Sequence, residues 1–399
     1  MNIASRGRLQ ERGGVSIFIV IFTALLVTVV TASFTQLMVR GQQQATANDL
    51  SQSAYDSAIA GVEDAKRALV RFQECENEGT SAGDTCADSI KTALEKKTCN
   101  SLESAGVVRF SSEGEVQVGE PEQNQAYTCV IVDLETPTVE GEGLKSNVPT
   151  LIPLRSKQDI DTVKISWFTS KDLGKLGADD SQQPDFPTPS DPTLERFALG
   201  NDWPSFAPPL LRAQLIQFKK GGLSLDSFNS PGSANARTLF LYPSDSGGSA
   251  SDFGLDFRRS GSQKNIPKKA SCNRNFTTYG GYACQVEISL PNPENGSKVN
   301  REAYLELQTY YQDVSSYKVE LGNGSGTPPK FDQVQAIVDS TGRASSLFRR
   351  VKVNISLRND GVPQQAPSTS LYIDGDLCKN FFVTDEAKYA GERGDAGCQ

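Results

Sequence analysis

Histidine does not occur once in the 399 residues. Its absence removes the commonest general base and the commonest metal ligand. Ser-His-Asp and Cys-His catalytic arrangements and His-containing zinc sites therefore cannot be built from this chain. No two cysteines stand as C-x-x-C, which argues against metal knuckles and a thioredoxin-like redox motif. Proline is missing from the first 71 residues, and residues 15–39 carry no formal charge. Clustered basic residues are missing too: 40 Lys and Arg, dispersed, face 48 Asp and Glu for a net charge of -8. Nothing in that balance resembles a nucleic-acid-binding surface. A hydrophobic share of 37% with 22% charged residues describes a folded protein with one unusual segment, not a bundle of membrane helices.

The eight cysteines are Cys75, Cys86, Cys99, Cys129, Cys272, Cys284, Cys378 and Cys398, all beyond the uncharged segment. An even number on one side of an apolar stretch points to disulfides formed in an oxidising compartment. Their spacing favours Cys272–Cys284 and Cys378–Cys398. The first four stay open between Cys75–Cys86 with Cys99–Cys129 and Cys75–Cys99 with Cys86–Cys129.

Residues 15–39 would span about 37 Å as a helix, enough to cross a hydrocarbon core of about 30 Å with some tilt. Arg6, Arg8 and Arg12 precede this segment, against a single Glu11. The positive-inside rule then places the N-terminus in the cytoplasm and the rest of the chain outside it, although Arg40 reduces the asymmetry. The rival is a cleaved secretory signal ending near Val30-Thr31-Ala32. Against it, Ser33 to Val39 stays apolar and helix-compatible, and the pattern continues past Arg40. Ala54, Ala58, Val62, Ala65 and Leu69 form a narrow stripe of mostly small residues at helical spacing. Glu63 and Arg67 are placed for an i,i+4 ion pair, and Gly41 and Gly61 are the soft points. One nearly continuous helix over residues 14–72 is expected, about 90 Å long. Its outer half must lie against something, because an isolated polar helix is marginal in water.

These residues resemble a known pattern. Arg12-Gly13-Gly14-Val15-Ser16-Ile17 is similar to the basic leader, glycine and apolar run recognised by prepilin peptidase. The segment Ala54-Tyr55-Asp56-Ser57-Ala58-Ile59-Ala60-Gly61-Val62-Glu63-Asp64-Ala65 resembles the A-x-x-A-A-E-x-G-(V/I)-x-x-A stretch of PilX-type minor pilins, with Ile59-Ala60 where that family often has Ala-Glu. Ser340 to Ser346, leading into Arg349-Arg350-Val351-Lys352-Val353, resembles the strand that closes many such domains. The N-terminal resemblance covers about residues 6–70. It implies a type IV pilin-like fold with cleavage at Gly13–Gly14, or alternatively Gly14–Val15, although many members have Phe first. Ordinary pilins carry Glu at the fifth mature position; here it is Phe18, or Ile19 under the alternative cut. PilX-type and tip-capping minor pilins share that lack, which implies a tip or assembly-initiating subunit. The partners so implied are other pilin subunits through the N-terminal helix, prepilin peptidase and the inner-membrane assembly machinery. The resemblance also leaves room for a host-cell or surface ligand.

The expected fold class is α+β: the long helix followed by a mainly antiparallel β region. The expected parts are a leader at 1–13, the helix at 14–72, a first β-rich part at 73–172, a Pro-rich loop or crossing at 173–209, and a second β-rich part at 210–399. A short helix is expected over Ala87 to Lys97. Strands are expected at 107–110, 115–118, 126–134, 162–168, 211–218, 238–242, 282–290, 303–311, 317–321, 334–339 and 347–357. Whether this is one pilin-like sheet with a large insertion or two lobes stays open. Asp374-Gly375-Asp376 could touch calcium but lacks further oxygen ligands and reads as a turn. Trp203 and Phe206 could anchor a partner or pack a loop. No catalytic residue, metal or cofactor is expected. The alternatives to a pilus subunit are a signal-anchored surface binding protein or adhesin outside any fibre and, less favoured, an anchored cell-wall enzyme.

Overall fold

The computed structural model describes residues 14–78, 81–119, 124–146, 148–179, 182–188, 203–222, 234–248, 250–253, 267–293, 296–298, 301–324 and 326–357. The fold is α+β and has two compact units. Among the described residues, the first is built from 14–136 and 332–357, and the second from 137–331.

The first unit begins with α1, Gly14–Asn77, a single helix of 64 residues. It spans about 96 Å and runs a few residues past the expected end at Phe72. No proline interrupts it, and neither Gly41 nor Gly61 breaks it. α2, Ser81–Glu95, buries Ala87, Ile90, Ala93 and Leu94 on one face. It starts earlier than expected and stops short of Lys97, whose left-handed φ of 51° ends the helical run. α3, Ser101–Ser104, is one short turn. A four-stranded sheet completes the unit: β1 (Val116–Gln117), β2 (Gln125–Thr136), β12 (Phe331–Ala344) and β13 (Leu347–Ser356), in spatial order β1-β2-β12-β13. The strand expected at 107–110 does not form. Gly106 turns the chain at φ +71°, and Val107, Val108 and Phe110 pad the core without strand partners.

β2 and β12 are adjacent in space although 194 residues separate Thr136 from Phe331. Ser345 N donates to Asn124 O at 3.0 Å, and Thr128 Oγ1 lies 3.4 Å from Thr341 O. Residue numbers rise along one strand as they fall along the other, so the pair is antiparallel and Thr136 faces the start of β12. The second unit is thus inserted where a hairpin turn would otherwise stand. The division falls at 136/137 and 331/332, not at the Pro-rich stretch 173–209. That stretch instead opens with α4, Ser170–Lys175, closed by a capping box between Thr169 and Asp172.

The second unit is a nine-stranded sheet, all antiparallel except one pair. Its strands are β3 (Thr138–Gly141), β4 (Thr150–Pro153), β5 (Thr162–Thr169), β6 (Leu210–Lys219), β7 (Ala236–Ser244), β8 (Lys268–Cys272), β9 (Tyr282–Ser289), β10 (Arg301–Tyr310) and β11 (Tyr317–Gly322). Their order is β3-β11-β5-β9-β8-β7-β6-β10-β4, with β7 and β8 parallel. Laid flat, the edges would be about 38 Å apart, yet β3 and β4 are joined by residues 142–149, which reach about 30 Å at full stretch. The sheet must therefore roll. The bridges Leu144–Val314 and Ser146–Thr309 stitch this linker to the β10–β11 side. Buried Leu215, Leu305 and Val319 alternate with partly exposed neighbours along their strands, as a core-facing sheet surface requires, whereas Ile165, Ser166, Trp167 and Phe168 of β5 are all buried.

Because the insertion enters and leaves at adjacent strands, replacing residues 137–331 with an Asn-Gly turn should leave the first unit folded. Circular dichroism in detergent and non-reducing mass analysis should show cooperative melting with Cys75–Cys86 and Cys99–Cys129 intact. A non-cooperative chain would show that the units depend on each other.

Candidate functional site

α1 has two halves with different surroundings. From Ile17 to Val39 every large apolar side chain is exposed, with Phe18 at 74% and Met38 at 73%. One 18-residue window of this helix has a mean hydropathy of 2.6 and none of it is buried. By length and composition this is a single helix able to cross a membrane. The hydroxyls within it do not oppose that environment. Thr23, Thr28, Thr31, Ser33 and Thr35 each donate to the carbonyl four residues back, at 2.7–2.9 Å. Such back-bonding leaves no hydroxyl donor in need of water. Phe18 and Ile19, the two candidates for the fifth mature position, both lie on this exposed half. Gly14 opens the helix, with Val15 next to it; Gly13 lies outside the described residues.

From Ala54 onward the helix is seated on the sheet. Ala54, Ala58, Val62, Ala65 and Leu69 are all at or below 2% exposure, joined by Ala68 and Phe72. The small side chains are needed because backbone meets backbone. A Cβ at Gly342 of β12 would come within 2.8 Å of Ala58 Cα and closer still to Ala54 O and Ala58 N. A Cβ at Gly61 would stand 2.5 Å from Ser340 Oγ and 2.8 Å from Val130 Cγ2. Arg349 of β13 adds a 2.8 Å hydrogen bond to Ser51 Oγ.

The ion pairs on this half differ from the expected Glu63–Arg67 contact. Lys66 binds Glu63 at 2.6 Å and Arg67 binds Asp64 at 2.8 Å, both at i,i+3. Asp64 is claimed by the sheet as well: Tyr127 of β2 donates its hydroxyl to Asp64 Oδ2 at 2.7 Å. Burial, reinforced by the hydrogen bond and negative charge of Asp64, pushes the Tyr127 phenol well above its ordinary range.

Among the described residues, three disulfides brace the two units internally. Cys75–Cys86 joins the end of α1 to α2 with Cα atoms 5.7 Å apart, and Cys99–Cys129 ties the segment after α2 to β2 at 4.4 Å. This is one of the two pairings that sequence left open. Cys272–Cys284 links directly opposed residues of β8 and β9, at 4.1 Å. Cys378, Cys398 and Asp374-Gly375-Asp376 lie outside the described residues. Trp203 packs over Tyr311 with ring centroids 4.6 Å apart and donates to Pro208 O at 3.2 Å, so it fastens a loop to the second unit; Phe206 is half-buried nearby. Among the described residues no group of three His, Cys, Asp or Glu is placed to hold a metal. No protein-family model, curated protein or solved structure matches the chain.

Gly342→Ala should destabilise the first unit by about 1–3 kcal/mol through overpacking, while Gly41→Ala, inside α1 with nothing within 4 Å, should not lower its unfolding temperature and can raise it through helix propensity. Thermal unfolding in detergent makes the comparison. The Tyr127 phenol is neutral in both states below its unfolded value, so its contribution is complete there. Above about pH 10 the unfolded chain ionises first, and stability should fall by up to about 1.4 kcal/mol per pH unit. Alkaline unfolding of Tyr127→Phe should lack that component.

Proposed function

We propose that this protein is a minor-pilin-like structural subunit of a type IV pilus or a related filament, placed at the tip or at the start of assembly. The observation that carries this reading is the division of one unbroken helix. An apolar, wholly exposed half continues through a polar stretch of the same helix into a small-residue half seated on an antiparallel sheet. A plain membrane anchor has no need of that continuity. A polymerising subunit does, because the helix that holds the precursor in the membrane is the one that later packs against neighbouring subunits.

The leader Arg6, Arg8 and Arg12 supports a cytoplasmic N-terminus, and the three disulfides support an extracytoplasmic remainder. Phe18 supports the terminal position. A buried carboxylate at that place would need a partner charge from a neighbouring subunit, and a subunit with nothing ahead of it has no use for one. The inserted second unit would be the part that contacts a surface or a host-cell ligand.

N-terminal sequencing of the mature protein tests the reading. A new terminus at Gly14 or Val15, particularly one carrying an N-methyl group, is the expected result; an intact Met1 favours the signal-anchored surface protein and defeats the pilus assignment. Phe18→Glu should then redistribute the protein from filament ends to the shaft, as seen by immunogold labelling. Unaltered placement would remove the argument for the tip.

A further inference from the structure

Each of the three described disulfides joins a cysteine to the next one along the chain. Six cysteines allow fifteen connectivities, and one alone pairs every cysteine with its neighbour. Short loops do not account for this outcome. Among the first four cysteines the observed pairing closes loops of 11 and 30 residues. Loop-closure entropy favours it by only about five-fold over Cys75–Cys99 with Cys86–Cys129, and about three-fold over Cys75–Cys129 with Cys86–Cys99. A fully reduced chain choosing by loop entropy would mispair about one time in three.

The finished fold cannot guide the choice early either. Cys129 lies on β2, and of its two sheet neighbours only the two-residue β1 precedes it; β12 begins at Phe331, so the full sheet around Cys129 is assembled only after almost the whole described chain is present. Cys272–Cys284 is internal to the second unit, and none of the three bridges joins the two units.

We propose that order of emergence sets these bonds: the region beyond the apolar half of α1 leaves the cytoplasm from its N-terminal end onward, and an extracytoplasmic protein disulfide donor joins each new cysteine to its unpaired predecessor. The protein is then a substrate of a dithiol oxidase and has no need of a disulfide isomerase. This rests on the extracytoplasmic placement argued above. In each event the first cysteine thiolate attacks the donor disulfide, forms a mixed disulfide and expels one donor thiolate. The next cysteine thiolate attacks the chain-side sulfur, closes the protein disulfide and expels the second donor thiolate. Two protons and two electrons pass to the donor, which leaves as a dithiol.

The test is non-reducing peptide mapping of the full chain made in bacteria that keep the disulfide donor but lack the isomerase. The expected result is Cys75–Cys86, Cys99–Cys129 and Cys272–Cys284 at the occupancy seen with the isomerase present. Crossed pairs among Cys75, Cys86, Cys99 and Cys129 at comparable levels would overturn the proposal. So would clean consecutive pairing when the fully reduced chain is oxidised in denaturant, where loop entropy alone should leave about a third mispaired. Cys86→Ser separates the causes most sharply. Order of emergence gives Cys75–Cys99 and Cys129–Cys272 in the isomerase-deficient host, whereas retention of Cys99–Cys129 and Cys272–Cys284 with Cys75 free would overturn it. Free thiols throughout, in a host that holds the donor, would defeat the extracytoplasmic placement and the proposal together; wrong pairs defeat the proposal alone.

Discussion

The first unit depends on how closely α1 can approach β12. A helix over a sheet ordinarily stands off by the length of two side-chain layers. Here Ala54 and Ala58 on one side and Gly342 on the other reduce that layer to almost nothing, and Gly61 does the same a turn and more further along. The approach becomes wider toward the far end, where Val62, Leu69 and Phe72 supply bulk and α2 and α3 close over them. Every other feature of the unit is arranged around this taper. Tyr127 can reach Asp64 only because the helix lies so near β2, and the Cys75–Cys86 bridge holds α2 where the helix leaves the sheet.

The same helix must satisfy a second constraint on its other half. Between residues 17 and 39 it has no tertiary partner among the described residues, so its stability and solubility are questions of environment. Five hydroxyls could have demanded water and instead donate within the helix. Between the two halves, residues 40–49 are polar and exposed, with no ion pair of their own among the described contacts. Such a stretch is weakly helical alone. Its helicity here comes from continuity with a lipid-compatible segment on one side and a sheet-bound segment on the other.

How much of this was legible in the sequence follows from the range of each signal. The stripe Ala54, Ala58, Val62, Ala65 and Leu69 was readable because periodicity is local, and all five residues are buried. Strands such as β9, β11 and β13 announced themselves by alternation. β3, β4 and β8 are only four, four and five residues long, too short to alternate visibly, and exist because a neighbouring strand offers them hydrogen bonds. Glu63 was misassigned to Arg67 because sequence offers both spacings, and Asp64, held by Tyr127 from 63 residues away, takes the arginine. The division between units was the least readable feature. Nothing in the local texture near Thr136 states that its partner begins after residue 330, and the Pro-rich stretch gives a stronger but misplaced sign of a boundary.

That misplaced boundary explains how the chain can carry so large an addition. An insertion at the end of one strand pair replaces a turn, and a turn is the part of a hairpin whose length the sheet tolerates best, since closure entropy grows only logarithmically with loop length. A folded insert whose own ends are close together weakens even that cost, because its ends are already positioned by its own sheet. β3 starts at Thr138, directly after β2, and the chain re-enters at Phe331. The helix seat, with Gly342 near the far end of β12, is ten residues removed from this junction. Changes in the second unit therefore enter at the end of the hairpin away from the Ala54–Ala58–Gly342 contact, leaving the spacing between α1 and β12 there to be set by the same few small residues.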